Sequence, residues 1–285
     1  MQTIRKIPKL AARKKDAHKG SFGKVCIVGG STGMSGAAAI AGRAALRSGA
    51  GLVRVAVPES VLGIVAAIEP CYTTAGLPAD SRGCMSGKAI GAVLGFVEDS
   101  DVMAFGPGVG TQRGVQAVVN ALIGQKGLRL VIDADGLNCL AKSTAWVDKI
   151  KASVILTPHP GEMKRLWAQV FRERMPKDRS AGAVKLAERT GCTVVLKGAG
   201  TVVTDGRKVY VNTTGNPGMA TAGAGDVLTG VITALAGQGL DDFDAAALGV
   251  YVHGLAGDIA AEEKGQVSLM AGDIVEALSE AFMQC

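Results

Sequence analysis

The chain has 285 residues, 48% hydrophobic and 20% charged, a balance that fits one folded α/β domain and excludes a disordered or collagen-like chain. Aromatic residues make up only 4%, too few for a base-stacking platform on single-stranded nucleic acid. The net charge of +6 belongs to one segment, because residues 1–24 carry eight Lys or Arg against the single acid Asp16. A charged nucleic-acid surface spread over the fold is therefore not expected.

The basic segment lacks the apolar stretch of a secretory signal. It reads as a solvated arm, with His18-Lys19-Gly20 expected to pack near the site, beside the first strand. Residues 25–28 predict a buried strand, 34–47 an Ala-rich helix and 52–57 a second strand ended by Pro58. Apolar runs at 101–105, 129–133, 153–157 and 193–197 each lead into a Gly- or Pro-containing turn. Residues 201–204 and 208–211 flank Asp205-Gly206-Arg207, a strong hairpin signal. Helical patterns begin at Asp226, about Asp242 and about Ala271. The alternation predicts a mostly parallel, doubly wound sheet with helices on both faces and an antiparallel hairpin near the C-terminal edge. No linker or repeat divides it, so residues 1–285 read as a single domain. Six scattered cysteines without a C-x-x-C pair suit reduced thiols in a cytoplasmic protein. No apolar run reaches membrane-spanning length.

Polar and glycine-rich motifs recur directly after strands, the edge where open α/β sheets bind ligands. The most informative runs from Asn216 to Asp226 and ends in Gly223-Ala224-Gly225-Asp226 before an apolar helix. Small residues leave backbone N–H groups free to meet an anion at a helix N-terminus. A carboxylate among such donors suits a base that takes a proton from a hydroxyl beside the phosphate. The bland reading is a tight turn with Asp226 as a helix cap. After the first strand, Gly29-Gly30-Ser31 opens a glycine-rich wall, without the G-x-G-x-x-G of a dinucleotide fold. Thr157-Pro158-His159-Pro160-Gly161-Glu162 holds a His on a rigid loop, and Glu162 could hold Mg²⁺ through water; alternatively the pair caps a helix and packs. Lys197, ahead of Gly198-Ala199-Gly200-Thr201, can meet phosphate oxygens or simply snorkel. In Asp133-Ala134-Asp135-Gly136-Leu137-Asn138, one acid is expected to cap a helix and the other to serve a site. No P-loop pattern is present.

Taken in order, His18-Lys19-Gly20, Gly29-Gly30-Ser31, Ser48-Gly49-Ala50-Gly51-Leu52-Val53, Gly106-Pro107-Gly108-Val109-Gly110, the Asp133 and Thr157 motifs, Lys197-Gly198 and Gly223-Ala224-Gly225-Asp226 resemble the ADP/ATP-dependent NAD(P)H-hydrate dehydratases. The resemblance covers nearly the whole chain. It implies a ribokinase-like three-layer sandwich. It also implies repair of hydrated nicotinamide cofactors, by phosphorylation of the ring hydroxyl from ADP or ATP with Mg²⁺ and loss of phosphate. Asp226 would then be the base, with Gly223, Ala224 and Gly225 cradling the phosphoryl group. Ala37, Ala38, Gly108, His159 and Asp226 would contact the hydrate, and Lys197, Gly198, Ala199, Gly200, Thr201 and Gly225 the adenine nucleotide. Related sugar kinases carry Asn where His159 stands. The resemblance further implies a homotetramer, a bacterial ADP-using enzyme acting on the S epimer, and a separate epimerase in the same pathway, because only about 24 residues precede the first strand. No nucleic acid or membrane is expected as a partner. Two other classes share these features: a small-alcohol kinase, which would accumulate a phosphorylated product, and a nucleotide sensor, which would gain nothing from Asp226.

Overall fold

Ten strands line up in one sheet in the computed structural model, which describes residues 1–285. They are β1 Gln2–Thr3, β2 Lys24–Val28, β3 Leu52–Pro58, β4 Thr73–Leu77, β5 Val102–Phe105, β6 Arg129–Ile132, β7 Ser153–Leu156, β8 Thr193–Leu196, β9 Val202–Thr204 and β10 Lys208–Val211. The helices are α1 Ser35–Arg47, α2 Leu62–Ile68, α3 Ile90–Glu98, α4 Arg113–Ile123, α5 Ala134–Leu140, α6 Pro160–Val170, α7 Arg179–Thr190, α8 Ala224–Gly237, α9 Asp242–Lys264 and α10 Ala271–Met283.

Across the sheet the order is β1-β10-β9-β8-β7-β6-β5-β2-β3-β4. Every pairing among β2 to β8 is parallel. β9 runs antiparallel to both β8 and β10, so the expected hairpin is present at that side. Central strands such as β2 and β5 are buried on both faces, which is why they read as unbroken apolar runs rather than alternating ones. One face packs against α1, α8, α9 and α10 through 42 buried residues, and the other against α3 to α7 through 36. Two cores of similar size make a three-layer sandwich. No helix is long and apolar enough to cross a membrane.

The N-terminal segment departs from expectation in part. Arg5, Lys6, Lys9, Arg13, Lys14 and Lys15 are exposed, as expected, but the backbone that carries them is docked. Gln2 and Ile4 donate backbone hydrogen bonds to Arg207 and Val209, both at 2.8 Å, and place β1 parallel to β10 at the sheet edge. Ile4, Ile7 and Leu10 rest on the core. Arg13 donates to the Gly49 carbonyl at 2.9 Å and lies 3.9 Å over the Phe22 ring. Aliphatic residues three apart give the segment an apolar side, and its cations stay in water on their stems. His18-Lys19-Gly20 is not near the ligand edge either. The His18 ring accepts from Gly20 N in a short turn before β2, and that turn packs on Gly51, just before β3, at the opposite end of the strands.

Candidate active site

Strand order reverses between β2 and β5. The crevice outside their C-terminal ends is therefore the switch point at which such sheets bind ligands. The two loops there are locked together. Gly30 N donates to the Pro107 carbonyl and Ser31 Oγ to the Gly108 carbonyl, each at 2.7 Å. Ala38 is wholly buried beneath Gly29, while Ala37 is half-buried against the buried Gly108. Of the residues expected on this wall, Ala37 presents its side chain and Ala38 shapes the floor. α1 opens above them with no side-chain cap, and the N–H groups of Ser35 and Gly36 have no protein acceptor.

α8 opens beside it. The helix starts two residues before Asp226, at Ala224, with Gly223 as its N-cap. Gly223 has φ +88°, a backbone that a side chain would strain, and it offers no side-chain cap. The N–H groups of Gly223, Gly225 and Asp226 donate to no protein acceptor. Three free amides and the helix dipole make an anion site. Asp226 makes no side-chain hydrogen bond, so it is not a capping acid. Burial, and then the neighbouring Asp133 carboxylate, push its carboxyl up to about 7 against the opposing pull of Lys197.

Lys197 follows β8 and donates to Asp133 Oδ1 at 2.5 Å. Asp133, only 1% exposed, also accepts from Thr157 Oγ1 at 2.7 Å and Thr229 Oγ1 at 2.8 Å. Burial works to lower the Lys197 ammonium, but Asp133 and Glu162 outweigh it and hold it above its usual value. A side chain at Gly225 would begin 3.4 Å from Lys197 Nζ and 3.8 Å from Asp133 Oδ2. Glycine there keeps open the approach of a phosphate oxygen to the ammonium. Neither acid of the Asp133 motif caps α5. Asp133 makes no cap bond, and Asp135 instead accepts from Gly110 N at 2.9 Å, pinning the loop after β5. Thr229 escaped the sequence reading, although its position three residues after Asp226 puts it on the same helix face.

His159 is the N-cap of α6. Its Nδ1 accepts from Gly161 N at 2.9 Å, and Glu162 Oε2 accepts from His159 N at 2.8 Å. His159 Nε2 lies 3.3 Å from Glu162 Oε1. The capping reading is thus realised, yet half of the imidazole surface stays open. Burial, Lys197 and Arg165 hold the ring below its usual pKa, so it is neutral near pH 7. Glu162 is 4% exposed. Burial and Asp133 push it up to about 7, against Lys197 and the His159 N–H.

Between β8, the loop after β10, α8 and α9 lies a cavity of about 550 Å³. Lys197, Gly198, Ala199, Gly200, Thr201 and Gly225, the residues the resemblance assigns to the nucleotide, all line this one cavity. Its far wall was not foreseen. Asn212, Thr214 and Asn216 are tied to α9 through the Val250, Tyr251 and Gly257 carbonyls and Asp258. His253 of α9 completes it.

Free amides, a buried Lys–Asp pair and an elevated carboxyl at one end of a nucleotide-sized cavity are the geometry of phosphoryl-transfer sites. The particular family follows from relatives. A family model described as NAD(P)H-hydrate dehydratase matches residues 25–280, and the chain belongs to that family. The ADP-dependent (S)-NAD(P)H-hydrate dehydratase of Neisseria meningitidis serogroup B is 37% identical over 97% of this chain and 91% of that protein. A bifunctional NAD(P)H-hydrate repair enzyme of Moorella thermoacetica is 45% identical over 94% of this chain and 51% of its own length. The chain spans about half the length of such bifunctional relatives. The crystal structure of an ADP/ATP-dependent NAD(P)H-hydrate dehydratase from Bacillus subtilis, co-crystallised with ATP and Mg²⁺, superposes with TM-score 0.80 at 28% identity, covering 96% of this chain and 94% of that one. The fold is the ribokinase-like α/β sandwich.

Proposed function

We propose that this chain dehydrates the S epimer of NAD(P)H hydrate, using ADP or ATP, and so repairs damaged nicotinamide cofactor as one domain of residues 1–285. The observation that carries the reading is Asp226, a carboxyl raised to about 7 beside three unpaired amides. The nucleotide lies along the cavity of Lys197 to Thr201, with its terminal phosphate at Gly223–Gly225. The hydrate lies along the switch-point wall, against Ala37, Gly108 and His159. Asp226 takes the proton of the ring hydroxyl as its oxygen attacks the terminal phosphorus. The bond from phosphorus to the nucleotide oxygen breaks, and AMP leaves from ADP, or ADP from ATP. The amides hold the transferring group. The ring-nitrogen lone pair then expels phosphate, and loss of a proton from the neighbouring carbon restores the double bond.

Mg²⁺ fits this donor set. No cage of three carboxylates or imidazoles exists, but a phosphate-bound Mg²⁺ keeps most of its waters and needs few carboxylates. Asp133, Glu162 and Asp226 face a single Lys197, and both Glu162 and Asp226 are raised, a surplus of negative charge that a cation offsets. Glu162 would hold the ion through water, and the ion would neutralise charge on the transferring phosphate. Unpaired cysteines suit a cytoplasmic setting. We propose further that a separate epimerase acts on the other hydrate epimer in the same pathway.

The test is incubation of NADH hydrate with ADP or ATP and Mg²⁺. Dihydronicotinamide absorbance should return only with nucleotide present, with one free phosphate per ring restored. A phosphorylated product that accumulates without absorbance would show a small-alcohol kinase instead.

A further inference from the structure

We infer that His253 reads a ribose hydroxyl of the nucleotide through its Nδ1 while its Nε2 fixes the start of α8. This rests on the nucleotide assignment above and goes beyond it by naming a recognition residue. Nε2 lies 2.9 Å from the Ala224 carbonyl. A carbonyl can only accept, so Nε2 carries the proton, and Nδ1 of the neutral ring presents a lone pair. Nδ1 makes no hydrogen bond to the protein, and the ring lines the cavity. Burial holds the imidazole down to about 4, which keeps that lone pair free across the working range.

A fixed acceptor selects its partner. On a nucleotide the phosphates are acceptors, and the only hydrogen-bond donors are the ribose hydroxyls and any exocyclic amine of the base. His253 is one hydrogen bond from the first residue of α8, at the phosphate end of the cavity. The ribose is the donor-bearing group adjacent to the phosphates, whereas the base lies farther along. The nearby amide side chains are already engaged. Asn212 is saturated by Tyr210, Thr214 and Val250, and Asn216 gives both amide hydrogens to Gly257 and Asp258 while its Oδ1 accepts from Gly218 N.

The two ring nitrogens can be tested separately. His253→Gln keeps a donor for the Ala224 carbonyl and loses the Nδ1 acceptor; His253→Ala loses both. Binding of ADP, ATP and their 2′-deoxy and 3′-deoxy analogues is measured by titration calorimetry with Mg²⁺, alongside turnover. The unaltered protein should bind at least one deoxy analogue about threefold to tenfold more weakly, the worth of one neutral hydrogen bond. His253→Gln should level that preference to within about twofold. His253→Ala should level it and lower kcat as well, because the amides of α8 lose their tether. Equal binding of ribo- and both deoxynucleotides by the unaltered protein, or a preference that survives His253→Gln, overturns the contact. Absence of any nucleotide binding would overturn the assignment of the cavity together with the contact.

Discussion

Asp226→Asn keeps the shape of the side chain and removes the proton acceptor. In the folded chain the carboxyl is held at about 7, against an ordinary value of 3.8. Each unit corresponds to ~1.4 kcal/mol, so the ionised carboxylate destabilises the fold by at most about 4 kcal/mol. The folded pKa is raised, so the folded chain holds the proton more tightly between about pH 4 and pH 7. Stability is lost as pH rises through that window and is level above it. Asn is neutral throughout. The variant should therefore be more stable than its parent at pH 8, by up to about 4 kcal/mol, and nearly equal to it at pH 4. Turnover should fall roughly 10²–10⁴-fold, the usual scale for a general base. A loss of activity coupled to a gain in stability marks a group held against its preferred charge state. Denaturant midpoints at pH 4, 6 and 8 and return of dihydronicotinamide absorbance measure the two effects. Turnover near that of the parent, or a stability change independent of pH, refutes the reasoning.

Lys197→Met leaves Asp133 buried and unpaired. It should cost about 3–5 kcal/mol in a denaturation experiment and raise the KM for the phosphate donor. His159→Ala should raise the KM for the hydrate more than that for the donor, and cost about 1 kcal/mol through the lost helix cap; a rise confined to the donor would reverse the two halves of the site. The kcat/KM profile should climb with pH through an apparent pKa near 7, as Asp226 and Glu162 lose their protons. A flat profile from pH 5 to 8 would count against both. Changing Arg5, Lys6, Lys9, Arg13, Lys14 and Lys15 together to Gln should leave turnover within a few-fold. Thermal stability should drop slightly because Arg13 leaves Gly49 and the Phe22 ring. Tight, salt-dependent binding of duplex DNA by the parent, abolished in that variant, would show a second function.

What the sequence revealed and what it hid follow from burial. Central strands are covered on both faces, so their apolar runs announced them, and the turns after them carried the site motifs. β4 has the sequence Thr-Thr-Ala-Gly-Leu. It has little strand preference of its own and exists through its ladder with β3. The docking of the basic segment was hidden because charge is conspicuous and Ile4, Ile7 and Leu10 are few. Asp226 was legible, but not its place in the first turn, since nothing in the sequence distinguishes a glycine N-cap from an acidic one three residues on. His253 was not legible at all. It sits on α9 among alanines and glycines, 27 residues beyond Asp226, and only tertiary packing brings it to the Ala224 carbonyl.

These features share one thermodynamic logic. An uncapped helix N-terminus leaves amides that a Ser or Asp would have satisfied, a sacrifice of about 1 kcal/mol. Burying Asp226 and Glu162 beside Asp133 adds a larger penalty. Neither is recovered within the protein. Both are relieved only when an anion fills the amides and a cation balances the carboxylates. The unliganded fold is thus less stable than its cores allow, and that deficit is available to ligand binding. A nucleotide with Mg²⁺ that satisfies the amides and offsets the surplus charge stabilises the native state in proportion to its affinity and concentration. Bound phosphate alone would fill the amides while bringing more negative charge to Asp226. The same arrangement therefore favours the complete donor over free phosphate, and in the proposed reaction it favours release of the phosphate that the ring expels.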